Sequence, residues 1–249
     1  MKERAHVDKQ YESELTQVRD SLVRMGAKVE TFLSDAIRAL ETRDGELASR
    51  VIARDRELNE LEMDVDDMCV AILAKHHPVA SDLRFVTTSL KIVVDLERMG
   101  DECVNICERV VDLLEEAPLR PYAELRHMAV ATQSMVRDAL DAFVEADADR
   151  ARWVIERDAD VDTAYKQLFR SLLDSMRETP DNVVRATRIQ SVAKYIERIA
   201  DHATNIAEMV VFMVRGEDIR HAWQRKDNGD LESKRAMAVA PRMPTKRES

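Results

Sequence analysis

Two pairs of acidic residues have a spacing that would place both carboxylates of a pair on one side of a helix. Glu97 and Asp101 lie four residues apart, and Glu197 and Asp201 repeat the pair 100 residues later. On a helical wheel each pair falls in a sector bordered by apolar side chains. Carboxylates that share such a partly desolvated sector repel one another, and each raises the pKa of the other unless a cation lies between them.

The preceding helical segment of each half carries a matching pair of oxygen ligands. Asp55 and Asn59 lie among apolar residues in the first half, and Asp158 and Asp162 do so in the second. In an antiparallel hairpin these faces would meet the acidic pairs, as facing helices do in metal-binding bundles. The sequence therefore predicts eight metal ligands, which are Asp55, Asn59, Glu97 and Asp101 in the first half and Asp158, Asp162, Glu197 and Asp201 in the second.

The type of ligand indicates which metal to expect. Carboxylate and amide oxygens favour magnesium, manganese or iron, and zinc is possible although its usual nitrogen and sulfur ligands are missing. The second site is expected to bind at least as well as the first, because Asp162 carries a charge that Asn59 lacks. The alternative interpretation is that the pairs are solvated surface charges, neutralised by Arg98 and Arg198.

Six segments with helical periodicity position these residues. Apolar residues recur at steps of three and four over 15–36 and again over 125–143, as in the seam of a helical bundle. Proline inside a helix costs about 3 kcal/mol or more, and prolines separate several segments, at residues 78, 118, 121 and 180. Ser81 is expected to cap the third helix, and Gly216 is expected to end the sixth. The segments run over 11–43, 46–76, 81–116, 121–145, 148–177 and 181–215, and the predicted fold class is all-α.

The two halves of the chain resemble each other. The string Val-Ile-x-Arg-Asp occurs at 51–55 and at 154–158, and Glu-Arg-x-x-Asp occurs at 97–101 and at 197–201. A duplicated three-helix unit with antiparallel neighbours follows from this repetition. The predicted domains are residues 10–117 and 118–221, followed by a polar, disordered tail over 222–249.

Composition excludes several classes of protein. Aromatic residues make up 4% of the 249 residues and charged residues 35%, which favours long amphipathic helices over a β-sandwich. A net charge of −10 disfavours nucleic acid as a ligand. No apolar run approaches the roughly 18 residues needed to span a bilayer, and residues 1–10 lack the apolar core of a leader peptide. Three cysteines without metal-binding spacing suggest buried free thiols, so we expect a cytoplasmic protein that meets membranes only through partners.

Three motifs resemble those of the PhoU family, the regulators of the phosphate-specific transport system. They are Pro-Val-Ala-Ser-Asp-Leu-Arg at 78–84, Asp-Leu-Glu-Arg-Met-Gly-Asp at 95–101, and Tyr-Ile-Glu-Arg-Ile-Ala-Asp at 195–201. The resemblance extends over about residues 10–221.

This resemblance implies a fold and a function. The fold would be six helices in two tandem three-helix bundles, assembled as a homodimer. The function would be negative regulation of phosphate uptake and of the phosphate-starvation response, through contacts with the ATPase of the phosphate ABC transporter and with a sensor histidine kinase. Some members of the family bind metal through their acidic motifs, which carries over to the eight residues named above.

Two other functions remain open at this point. A ferritin-like metal enzyme would need a Glu-x-x-His pair on each of two helices, and the chain has one, Glu124 and His127. His202 falls on the polar side of its helix, as do Asp95 and Glu102 on theirs. Because no catalytic motif is complete, the chain is predicted to be non-enzymatic. A helical adaptor that binds no metal is the second alternative.

Overall fold

The chain folds into α-helices throughout residues 2–119 and 122–219, which are the residues that a computed structural model describes. No strand occurs within these ranges, so the all-α prediction is confirmed. The predicted tail over 222–249 lies outside the described residues, as does Pro121. The helices are α1 (Lys2–Thr42), α2 (Gly45–Arg54), α3 (Arg56–His76), α4 (Ala80–Leu113), α5 (Tyr122–Glu145), α6 (Ala148–Glu178) and α7 (Val183–Arg215), with a short 3-10 turn at Pro180–Asn182 before α7.

Helices α2 and α3 together form the second of the six predicted helices, interrupted at Asp55. The backbone of Asp55 keeps helical angles (φ −52°, ψ −40°), but its N–H bonds to the carbonyl of Ile52, 3.3 Å away, instead of to the residue four positions earlier. The equivalent helix of the second half, α6, continues without a break through Asp158. The interruption therefore distinguishes two otherwise similar hairpins.

Helix ends agree with the sequence in some places and differ in others. Asp44 and Asp147, at equivalent positions of the two halves, cap α2 and α6 by accepting hydrogen bonds from backbone N–H groups of the first turn, at 2.8 Å and at 2.9 and 3.0 Å. Gly216 has a φ of 73° and ends α7, as predicted. The cap assigned to Ser81 is wrong. Helix α4 already begins at Ala80, so Ser81 lies inside the first turn.

The two predicted three-helix bundles are present and share a long interface. The first bundle contains α1, α2, α3 and α4, and the second contains α5, α6 and α7; α1 packs on α5, and α4 packs on α7. Within the described residues α2 and α3 contact no helix of the second bundle, and α6 contacts none of the first. Four inner helices therefore form the centre of one continuous apolar core, and one outer helical arm on each side, α2 with α3 or α6, adds its own apolar face to it.

A polar cluster lies inside this interface, formed by residues that the sequence placed on the polar sides of α4 and α7. Asp95 and Glu102 on α4 are 8% and 5% exposed. His202 on α7 pairs with Asp95, with 2.7 Å between Nδ1 and Oδ1, and Arg198 pairs with Glu102 at 2.9 Å. These residues do lie on the polar side of their helices, but that side faces the other bundle.

Two helices approach closely at Gly26, where α1 crosses α5. A Cβ atom at this position would lie 1.9 Å from Cδ1 of Leu140, so only glycine fits without movement of that leucine.

Cys69, Cys103 and Cys107 are buried and form no disulfide within the described ranges. None of the helices described here combines the length and apolar character needed to cross a lipid bilayer.

Candidate functional site

The first acidic cluster consists of Asp55, Asn59, Glu62, Glu97 and Asp101. Asp55 stands at the break between α2 and α3, and α4 carries Glu97 and Asp101 opposite it. The side chains are close enough that Asp101, Glu62 and Asp55 each raise the pKa of Glu97. Asn59 donates a hydrogen bond to Oδ2 of Asp55 at 3.2 Å. The structure thus brings together all four residues predicted in the first half.

Burial is the largest cause of the raised pKa values in this cluster. It raises the pKa of Glu97, with Asp101 as the next cause, and Arg98 only partly opposes the shift. It also raises the pKa of Asp101, where Asp55 adds to the effect, and the pKa of Glu62. None of these carboxylates forms an ion pair within the part of the chain that the structure describes, so their negative charge is not compensated there.

Two oxygens of the first acidic cluster are buried and accept no hydrogen bond. They are Oδ1 of Asp55 and Oδ1 of Asn59. Buried polar atoms without a partner are rare and expensive, and oxygen atoms of this kind suit a hard cation. The residues present therefore fit such an ion. Across residues 2–119 and 122–219, however, no three His, Cys, Asp or Glu side chains already stand in a geometry that could hold one ion, so binding would require rotamer changes and stays a prediction.

The second acidic cluster consists of Asp158 and Asp162 on α6 and Glu197 and Asp201 on α7. Burial, followed by Glu197 and Asp158, raises the pKa of Asp201 to about 6, although Lys194 partly opposes the shift. Burial and then Asp162 raise the pKa of Asp158. These mutual effects place all four predicted residues of the second half in one group.

Two lysines distinguish the second acidic cluster from the first. Nζ of Lys166 lies 3.0 Å from Oδ2 of Asp162, and Lys194 donates a hydrogen bond to Glu197. Part of the negative charge is therefore balanced by the protein's own cations. This observation opposes the expected order of metal affinity, because the charge of Asp162 is already paired.

Sequence reasoning missed Glu62 and the two lysines. Glu62 follows Asn59 by three residues and Asp55 by seven, so helical spacing alone would have placed it on the same face. Lys166 and Lys194 stand four and three residues from the acids that they pair with, which is the ordinary spacing of ion pairs along a helix. Glu124 and His127, the single Glu-x-x-His string, are both exposed.

Comparison with known families gives a match in both halves of the chain. The family model described as the PhoU domain matches residues 22–110 and 125–210. A Pseudomonas aeruginosa protein, named phosphate-specific transport system accessory protein PhoU homolog, is 42% identical over 231 residues, covering 92% of this chain and 96% of the relative. The Escherichia coli protein, named phosphate-specific transport system accessory protein PhoU, is 36% identical over 216 residues, covering 87% and 90%. These names describe accessory proteins and not enzymes, in agreement with the non-enzymatic prediction.

Solved structures agree with the sequence comparison. The crystal structure of PhoU from Pseudomonas aeruginosa superposes with a TM-score of 0.80 at 43% identity, covering 83% of this chain and 100% of that one. The phosphate transport system regulatory protein PhoU from Streptococcus pneumoniae gives a TM-score of 0.78 at 30% identity, covering 84% and 98%. With two domain matches and relatives aligned over most of both lengths, this chain belongs to the PhoU family.

Proposed function

We propose that this protein acts in phosphate transport as a negative regulator, which damps phosphate uptake and keeps the starvation response off when phosphate is plentiful. The observation that carries the proposal is the similarity to named accessory proteins of the phosphate-specific transport system over about nine-tenths of the chain. The absence of a complete catalytic motif in the sequence supports regulation by contact instead of by chemistry.

The partners that we propose are the ATPase of the phosphate ABC transporter and the sensor histidine kinase of the phosphate response. The protein would meet both in the cytoplasm, reach the membrane only through them, and act as a homodimer. The two outer helical arms of the fold, α2 with α3 in the first bundle and α6 in the second, contact only their own bundle and leave their outer sides for such contacts.

Deletion of the gene in its own host tests the regulatory role. A reporter of the starvation response should be active in high phosphate in the deletion strain and silent again when the gene is restored. Affinity purification of the protein should recover the transporter ATPase or the kinase. A reporter that stays silent in a clean deletion would contradict the proposal.

We also propose that the two acidic clusters bind an oxygen-preferring cation such as magnesium, manganese or iron, with zinc as a less suited ion. Asp55, Asn59, Glu97 and Asp101 would hold it in the first cluster, and the second cluster would use its four acids. A bound cation would supply positive charge to which phosphate or a partner's carboxylate could attach. The unpartnered oxygens of Asp55 and Asn59 support this assignment.

The first acidic cluster is expected to bind metal more tightly than the second. Its carboxylates have no lysine partners, whereas an ion in the second cluster would have to displace Lys166 and Lys194. Manganese titrated into chelator-treated protein, followed by calorimetry and by metal analysis after gel filtration, measures this difference.

Single variants with a matched control show which acidic cluster is responsible for each binding step. Asp101→Asn should remove the tighter binding step, and Asp201→Asn should remove the weaker one. Asp160→Asn, which changes an exposed acid of α6 outside the clusters, should leave both steps unchanged. Unaltered manganese content in the double variant of Asp101 and Asp201 would refute the metal assignment without touching the regulatory proposal.

A further inference from the structure

A cavity of about 340 Å³ lies where the N-terminal end of α4 and the C-terminal ends of α5 and α7 meet α1. Its walls come from both bundles, and none of its residues belongs to either acidic cluster. The volume is at the lower end of the range typical of small-molecule sites, about 300–1,000 Å³.

Two arginines that pair with no carboxylate among the described residues line this cavity. Arg19 forms no hydrogen bond or ion pair with any described residue, and its buried Nε has no acceptor. Its guanidinium lies over the ring of Phe85, 5.0 Å from the centroid. Arg84 donates from Nε to the backbone carbonyl of Met213 at 2.9 Å and pairs with no acid in the described ranges. Each guanidinium group therefore keeps donors that no described acid occupies, in a chain with a net charge of −10.

The one acid in the cavity, Asp82, is already engaged. The hydroxyl of Tyr11 donates to Oδ2 of Asp82 at 2.9 Å, and the hydroxyl of Ser81 donates to Oδ1 at 3.3 Å. Burial, with Asp82 adding to it, raises the pKa of Tyr11 to about 12, so this hydroxyl remains a donor. The charged groups of the cavity therefore sum to one net positive charge, and all arginine donors except Nε of Arg84 lack a described acceptor.

The rest of the cavity wall is apolar. Phe85 and Phe143 stack with their ring centroids 5.3 Å apart and their planes 15° from parallel. Val144 and Val214, each 37% exposed, also line the cavity, and these exposed apolar side chains would lose water if a ligand covered them. Inorganic phosphate alone would leave this apolar surface exposed to water, whereas a ligand with an apolar group would bury it.

The internal duplication shows that bundle packing does not require an arginine at the position of Arg84. The offset of 100 between α4 and α7 pairs Arg84 with Val184. The second copy forms the same three-helix bundle with an apolar residue at this position.

We propose that this cavity binds a small organic anion. Its phosphate or carboxylate headgroup would contact Arg19 and Arg84, because guanidinium groups recognise such oxyanions through paired hydrogen bonds. Its apolar group, about the size of one aromatic ring, would cover the exposed side chains of Val144 and Val214 beside the buried Phe85–Phe143 pair. A ligand in this cavity would contact both bundles at once. It would therefore bind only when the two bundles are arranged as they are in this structure.

Calorimetry on the full chain with defined probes tests the proposal. The buffer contains a chelator, so that no anion binds through metal at the acidic clusters. Phenyl phosphate and phenylacetate carry both parts of the ligand, inorganic phosphate carries only the charge, and benzyl alcohol only the ring. At least one of the first two should bind at a single site, at least tenfold more tightly than inorganic phosphate or benzyl alcohol. Whichever of the two binds more tightly identifies the headgroup.

Two variants with a matched control locate the site. Arg19→Gln should weaken binding at least tenfold, and Arg84→Lys should weaken it less because the charge remains. Arg24→Gln changes an exposed arginine of the same helix outside the cavity and should have no effect. Circular dichroism verifies that each variant is folded; if Arg19→Gln does not fold, Arg19→Lys replaces it with the same direction of change. Absence of binding by either probe, equal binding of inorganic phosphate, or equal affinity in the Arg19 and Arg24 variants would overturn the proposal.

Discussion

Asp201 is the residue whose replacement should change stability in the most diagnostic way. Its pKa is raised from 3.8 to about 6, by burial first and then by the charges of Glu197 and Asp158. The folded protein therefore binds the Asp201 proton more tightly than the unfolded chain does. In the metal-free protein, the charged form of Asp201 is a source of instability that asparagine would remove.

The sign and the pH window follow from these two pKa values. Below about pH 3.8 Asp201 is protonated in both states, so it does not affect the free energy of unfolding. Between pH 3.8 and pH 6 the unfolded chain loses this proton first, and the folded state becomes progressively less stable; above pH 6 the whole penalty is present. A shift of about two units corresponds to at most about 3 kcal/mol. The residue as a whole is nevertheless still exposed to solvent, so its carboxylate is only partly desolvated, and solvent screening reduces the expected penalty to about 1 kcal/mol.

Urea denaturation in the presence of a chelator, followed by circular dichroism, measures this effect. Asp201→Asn should raise the free energy of unfolding by about 1 kcal/mol at pH 8 and by close to zero at pH 4. The corresponding rise in melting temperature at pH 8 is about 2–4 °C for a chain of this size. Asp160→Asn, on the exposed side of α6, should show no such pH dependence.

Adding manganese should reverse the order of stability at pH 8 at concentrations that saturate the second acidic cluster, because bound metal stabilises only the protein that keeps the ligand. An effect of Asp201→Asn that is equal at pH 4 and pH 8, or a loss of stability at pH 8 in chelator, would refute the reasoning from electrostatic repulsion.

Three further replacements test the packing and the polar contacts, each by the same urea titration. Gly26→Ala should destabilise the protein by about 1 kcal/mol, because overpacking against Leu140 exceeds the helix-propensity gain, and Leu140→Ala should remove this penalty in the double variant; additive effects would contradict the close approach. Asp147→Ala should cost about 1 kcal/mol through loss of the α6 cap, and no change would mean that the cap is unimportant. His202→Ala should cost about 2 kcal/mol because the buried carboxylate of Asp95 loses its closest partner and keeps only the longer hydrogen bond from Asn205, and a stable variant would show that water replaces the histidine.

The helices and their duplication could be predicted from the sequence because both depend on patterns of residues that are close together in the chain. Apolar spacing and prolines fix where helices run, and repeated strings fix the two halves. The break at Asp55 could not be predicted, since it changes one hydrogen bond while the backbone angles stay helical. Such a distortion depends on the packing of the hairpin, which no local pattern records.

The sequence predicted which residues form the candidate site, but it did not predict how their charges are paired. Spacing on one face identified the eight predicted ligands, yet it could not tell which rotamers Lys166 and Lys194 would adopt toward Asp162 and Glu197. The wheel likewise assigned Asp95 to a polar face without indicating that a second polar face covers it. Periodicity separates the two sides of a helix, but it does not identify what each side meets.

The core shared by α1, α4, α5 and α7 has a consequence for how the protein folds. Each three-helix unit carries an apolar face that only the other unit covers, and α4 adds two buried carboxylates whose partners stand on α7. The two copies of the duplication are therefore a single cooperative unit and should unfold in one transition. A chain cut between residues 114 and 119 would yield halves that are aggregation-prone apart and regain the native near-ultraviolet circular dichroism only when mixed. In this chain the two copies thus depend on each other, and a substitution on one side of the shared interface would need a matching change on the other.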